Sequence, residues 1–152
     1  MENLQKIISE IIAEFIPNFM SVDEISRLSG GSSNESWKID INTKKDKKIL
    51  VFRRTPGGNL KDEESNNFVD IADEAKVMDI AKDFDVPVPE ILKVINHKDI
   101  GKGFFMQFIK GETLGNRIVN NEEFEQVRPR LAEKCGEIIA NIHKIPISKF
   151  NN

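Results

Sequence analysis

The sequence makes no provision for a disulfide, a membrane span or a basic nucleic-acid face. One cysteine, Cys135, stands alone among 152 residues, which excludes an internal disulfide and most cysteine-based metal sites. No apolar run approaches the ~20 residues that a membrane helix needs, so no membrane partner is expected. Residues Met1 to Lys6 lack the basic start and continuous apolar stretch of a signal peptide, and a cytoplasmic protein is expected. The formal net charge is -3, which argues against nucleic acid as the main partner, because neutralising phosphates needs a basic face. The one basic run, Lys44-Lys45-Asp46-Lys47-Lys48, lies between two apolar alternations and reads as a solvated hairpin tip. There is no internal repeat and no low-complexity tract.

What is present is an ordered series of helix and strand patterns. Leu4, Ile7, Ile8, Ile11, Ile12 and Phe15 recur at three- and four-residue spacing, which predicts an amphipathic helix over 3–16, closed by Pro17. Three strands follow: a short one over 25–29, one in which Trp37, Ile39 and Ile41 alternate with Lys38, Asp40 and Asn42, and an inner one over 49–54. Their short connections favour an antiparallel meander. A second helix is expected from about Phe68 to Asp83, with Phe68, Ile71, Ala75 and Met78 on one face. Val86-Pro87-Val88-Pro89 then forces an extended crossing. Two further strands, 91–95 and 104–109, flank a turn carrying His97, Asp99, Gly101 and Gly103. Asn121-Glu122-Glu123-Phe124 resembles a helix start, and 130–144 sets Leu131, Cys135, Ile138, Ile139 and Ile142 on one stripe, ended by Pro146. The predicted fold class is α+β: a five-stranded antiparallel sheet with one helix inserted between its third and fourth strands. That is the layout of a protein-kinase small lobe, preceded here by an N-terminal helix.

Four places carry candidate chemistry. Gly30 and Gly31, followed by Ser32, Ser33 and Asn34, let backbone N–H groups approach a phosphate unobstructed; taken alone they read at least as well as a plain hairpin turn. Arg53 ends the third strand on the same face as Val51 and offers a cation for phosphates, or an edge arginine covering apolar surface with its stem. Arg54 points the other way and suits that second description better. Glu74, in the helix that follows, is placed to pin a phosphate-holding cation; Asp73 competes by one position, and a solvated helix charge is the alternative for either. Met106-Gln107-Phe108-Ile109 could offer backbone groups to an adenine edge, or simply end a core strand.

The segments Leu28 to Trp37, Leu50 to Gly57, Asp73 to Met78, Val86 to Pro89, Phe104 to Glu112 and Ile139 to His143, in that order, resemble the aminoglycoside phosphotransferase and choline kinase superfamily. The third-strand segment is similar to the branch that is also fused to acyl-CoA dehydrogenases. The resemblance implies ATP as cofactor, Gly30 to Asn34 as phosphate loop, and Arg53 in place of the usual strand lysine, keeping the charge and adding a fork suited to phosphate. It implies Glu74 as partner of Arg53, Gln107 to Ile109 as adenine hinge with Met106 beside the ring, and a small hydroxylated acceptor for the γ-phosphate. It divides the chain into an N-terminal helix (1–20), a kinase-like N-lobe (21–111) and the first helices of a C-lobe (112–152).

In that family a His-x-Asp catalytic loop, a following Asn and a metal-binding Asp come after the helix ending near His143, and these residues are not found here. Asp83-Phe84-Asp85 closes a helix, while His143 and His97 have structural settings. The expectation is an ATP-binding portion truncated before its catalytic loop, with no catalytic or metal-binding residue of its own, and with Mg²⁺ held only once the missing lobe is added. Steady ATP-dependent phosphorylation by the purified chain would refute it. The stripe over 130–145 is expected to drive self-association or to bind a downstream partner chain. The alternative functions are a non-catalytic nucleotide-binding module and a plain protein-interaction domain.

Overall fold

The structure, a computed structural model, describes residues 2–28, 34–55 and 70–150. Its sheet is five-stranded, in the order β1-β2-β3-β5-β4 with every pairing antiparallel, as the sequence predicts. The elements in chain order are α1 (Glu2–Phe15), β1 (Phe19–Arg27), β2 (Glu35–Thr43), β3 (Lys47–Arg54), α2 (Ile71–Lys82), β4 (Ile91–His97), β5 (Gly101–Gln107), α3 (Gly115–Asn120) and α4 (Arg128–His143).

The α1 stripe is buried as its spacing requires: Ile7, Ile8, Ile11 and Ile12 all lie in the core. They share one cluster with Ile39 and Ile41 of β2, Leu50 and Phe52 of β3, Phe105 of β5 and Ile100. Each such side chain contributes on the order of 1.5–3 kcal/mol relative to exposure. Phe52 stacks on Phe105 with ring centroids 4.7 Å apart, and Phe15 closes over Phe105 at 5.3 Å. Cross-strand partners share a face, so the pairs Ile39–Leu50, Trp37–Phe52 and Phe52–Phe105 define the α1 face of the sheet. The opposite face carries Ser36, Val51, Arg53, Phe104 and Met106.

Three differences from the predicted elements have local causes. β1 begins at Phe19, six residues before the predicted strand. Asn18 takes a left-handed conformation, φ 59°, which asparagine tolerates, and so reverses the chain directly after Pro17. Register shifts between Phe19 and Ser21 and between Val22 and Glu24 then break the alternation that would have marked the strand. The turn between β4 and β5 holds only residues 98–100. Gly101 (φ 79°) opens β5, and Gly103 lies within it, where a Cβ would stand 2.5 Å from the Arg53 carbonyl oxygen. The second helix starts at Ile71, capped by Asp70, whose Oδ1 accepts the Ala72 N–H at 2.8 Å. Phe68, the predicted start, lies outside the described residues.

The chain divides into two compact units, residues 1–76 with 89–108 and residues 77–88 with 109–152. The second is helical. Its Asn121-Glu122-Glu123-Phe124 segment is a single 3₁₀ turn rather than a longer helix, and the short α3 before it was not expected. Arg128 Nη1 donates to the carbonyls of Ile118 and Asn121, and Asn141 Nδ2 to that of Asp85. No residue of α3 or α4 is buried. Among the described residues no helix is long and apolar enough to cross a membrane.

Candidate functional site

β3 carries Arg53 to its penultimate position, opposite Ser36 on β2 and Phe104 on β5. Successive side chains leave a strand on opposite faces, so Arg53 emerges away from the α1 core. There it meets Glu74 from the first turn of α2. Nε donates to Glu74 Oε1 at 2.8 Å, and Nη1 donates to Ser36 Oγ at 3.2 Å. The other Glu74 oxygen, Oε2, accepts Asn34 Nδ2 at 3.3 Å. Glu74 is thus gripped from both sides, and its negative charge near a helix N-terminus is favoured by the aligned peptide dipoles. Asp73, the competing carboxylate, is exposed.

Arg53 and Glu74 are both half-buried, so the pair adds ~1 kcal/mol or less to stability. Its consequence is directional. Binding through Nε holds the guanidinium side-on, and Nη2 has no partner among the described residues. Asn34 Oδ1 is buried and also lacks a partner among the described residues. Flipping the amide would set its oxygen against a carboxylate, so this acceptor is left for a donor from outside the group.

Of the predicted phosphate residues, the structure therefore joins Asn34, Arg53 and Glu74. Gly30, Gly31, Ser32 and Ser33 lie outside the described residues. Ser36 was not foreseen; only the β2–β3 register, which sets it opposite Arg53, identifies it. Met106 is half-buried, between Val51 and Ile91 across its two neighbouring strands. Gln107 N–H is already donated to the Glu90 carbonyl at 2.8 Å, so it is not available to a base. Phe108 and Ile109 follow the end of the strand, and no backbone hydrogen bond engages their N–H groups among the described residues.

A second tether holds α2. Lys102 Nζ on β5 meets Asp70 Oδ2 at 2.8 Å. That bond, followed by the one from Ala72 N–H, holds the Asp70 carboxyl below its ordinary range. Arg54, facing the α1 side, is not the edge residue expected of it: Nε bonds Glu35 Oε2 at 2.9 Å, and the guanidinium lies over Trp37. Among the described residues no group of three or more His, Cys, Asp and Glu could hold a metal ion.

The fold is shared by solved structures, two among them from phosphotransferases. One is a provisionally assigned aminoglycoside phosphotransferase from Ralstonia eutropha JMP134, with a TM-score of 0.62 and 18% identity over 95% of this chain and 39% of that one. The other is the GDP complex of wild-type aminoglycoside 2'-phosphotransferase-IIIa, with a TM-score of 0.54 and 15% identity over 96% of this chain and 44% of that one. This chain thus spans less than half the length of either. No curated protein sequence matches it. The model of the phosphotransferase enzyme family matches residues 24–151, a span that takes in Asn34, Arg53, Glu74 and the end of β5, and the chain belongs to that family.

Proposed function

We propose that this chain is the nucleotide-binding portion of a phosphotransferase that passes the γ-phosphate of ATP to a hydroxyl of a small acceptor. The observation that carries the reading is the Arg53–Glu74 bond through Nε, which fixes a guanidinium and leaves its far edge to grip phosphate oxygens. Such charge-assisted, fork-shaped contacts are among the strongest hydrogen bonds a protein makes. Family membership supports the reaction class, and the structural neighbour bound to GDP supports a nucleotide ligand.

Each residue has a defined part. Arg53 holds the phosphates, and Glu74 keeps its guanidinium oriented. Ser36 and Asn34 stop that pair from swinging. The buried acceptor Asn34 Oδ1, without a partner among the described residues, is left for a donor that arrives with the ligand. Gly30 to Ser33, outside the described residues, take the part of the phosphate loop that the family resemblance implies. Phe108 and Ile109 offer the main-chain edge for the base, with Met106 beside it. ATP supplies the transferable phosphoryl group.

Calorimetric titration with ATP and with GTP tests the reading. Wild type binds, and Arg53→Ala binds about tenfold or more weakly, the loss expected when one or two charge-assisted hydrogen bonds go. Equal affinity of the two proteins would overturn it.

A further inference from the structure

We propose that Arg54 and Glu35 are positioning residues for the Arg53–Glu74 pair: a guanidinium–carboxylate clip on the α1 face of the sheet that aims the phosphate-holding group on the opposite face. The proposal rests on the reading of Arg53 given above, and neither clip residue touches the ligand.

Each clip residue is the immediate chain neighbour of a site residue. Arg54 follows Arg53, and Glu35 follows Asn34. Neighbouring side chains in a strand point to opposite faces, so Arg53 cannot roll about the β3 axis unless Arg54 rolls with it. Both ladders of β3 end here, with Glu35 opposite Arg54 on one side and Gly103 opposite Arg54 on the other. Strand ends are where pairing opens first, so the direction of Arg53 depends on what holds residue 54.

Arg54 is held at three points. Nε donates to Glu35 Oε2 at 2.9 Å, Nη1 donates to the Ile100 carbonyl at 3.4 Å, and the guanidinium carbon lies 5.9 Å from the Trp37 ring centroid. Trp37 Nε1 donates to the same Glu35 oxygen at 3.3 Å, and Arg27 Nη2 approaches the other at 3.6 Å. The Arg54 and Glu35 side chains are only 11% and 12% exposed, the most buried ion pair among the described residues. On the β5 side there is no slack, because a Cβ on Gly103 would meet Arg54 Cβ at 3.0 Å as well as the Arg53 carbonyl oxygen.

The test uses the full chain with Glu35→Gln and Arg54→Lys, and reads three quantities: melting temperature, hydrogen exchange at the Arg53 Nε–H by ¹⁵N NMR, and ATP affinity by calorimetry. We expect exchange to quicken and ATP affinity to fall, each by about tenfold, the scale of loss when one charge-assisted hydrogen bond is weakened. The core control Ile11→Val lowers the melting temperature and moves neither of the other two. If both clip variants melt earlier yet keep wild-type exchange and affinity, the clip is only structural and the proposal fails. Should Arg54→Lys not fold, Glu35→Gln, which keeps the shape and one acceptor, carries the test. If the clip variants alter Arg53 exchange but wild type binds no nucleotide, positioning stands and the nucleotide reading fails. If wild type binds ATP, Arg53→Ala does not, and the clip variants bind as wild type, the nucleotide reading stands and positioning fails.

Discussion

Residues 37–52 and residues 131–142 carry apolar side chains with comparable regularity, yet they meet different fates. In the sheet, Ile39, Ile41, Leu50 and Phe52 are all buried beneath α1. In α4, Leu131, Ile139 and Ile142 sit at helical spacing and remain exposed, Ile139 by 53%. Periodicity reports which side of an element is apolar, and only the rest of the fold decides whether that side is covered. The first unit covers its own. The residues of the candidate phosphate group belong to it, on a sheet whose far side is closed by a packed core.

Four substitutions sharpen or break this contrast, in falling order of effect. Phe105→Ala removes a ring stacked on Phe52 and tilted against Phe15 and should cost about 3–5 kcal/mol in urea unfolding; a loss below 1 kcal/mol would mean that the sheet core is not where the stability lies. Gly103→Ala places a methyl against the Arg53 carbonyl and should cost about 1–3 kcal/mol by the same measurement, with near-neutrality breaking the account of a tight β3–β5 approach. Asp70→Ala removes the α2 cap and should cost about 1 kcal/mol at neutral pH. Because the folded Asp70 pKa is lowered, its contribution is full above its unfolded value of about 3.9 and fades as pH falls through the lower folded one. The gap in melting temperature between wild type and Asp70→Ala should therefore be level at neutral pH and close in acid. Ile142→Ala, on the uncovered stripe, should change stability by about 0.5 kcal/mol or less, and a core-sized loss would show that α4 is covered in solution.

Much of the architecture is legible because local pattern and tertiary demand agree. The alternation of Trp37, Ile39 and Ile41 shows which face of β2 is buried, and the helical face shared with Ile71 and Ala75 favours Glu74 over Asp73. Where the two part company, the sequence misleads. β1 hides its first residues behind two register shifts, and α3 is too short for any period to show. Gly103 resembles a turn glycine until the strand across from it is known. The candidate site divides the same way. Arg53 and Glu74 could be named from strand end and helix face, whereas Ser36 and the Arg54–Glu35 clip depend on pairings 17 and 19 residues apart, which only register reveals.

Trp37 has a consequence of a different kind. The sequence holds one tryptophan and no tyrosine, and that indole stands half-buried at the corner where Arg54 and Glu35 meet. Emission excited at the red edge of the aromatic band thus arises from a single spot on the sheet. Its wavelength gives a label-free optical record of whether that corner stays dry.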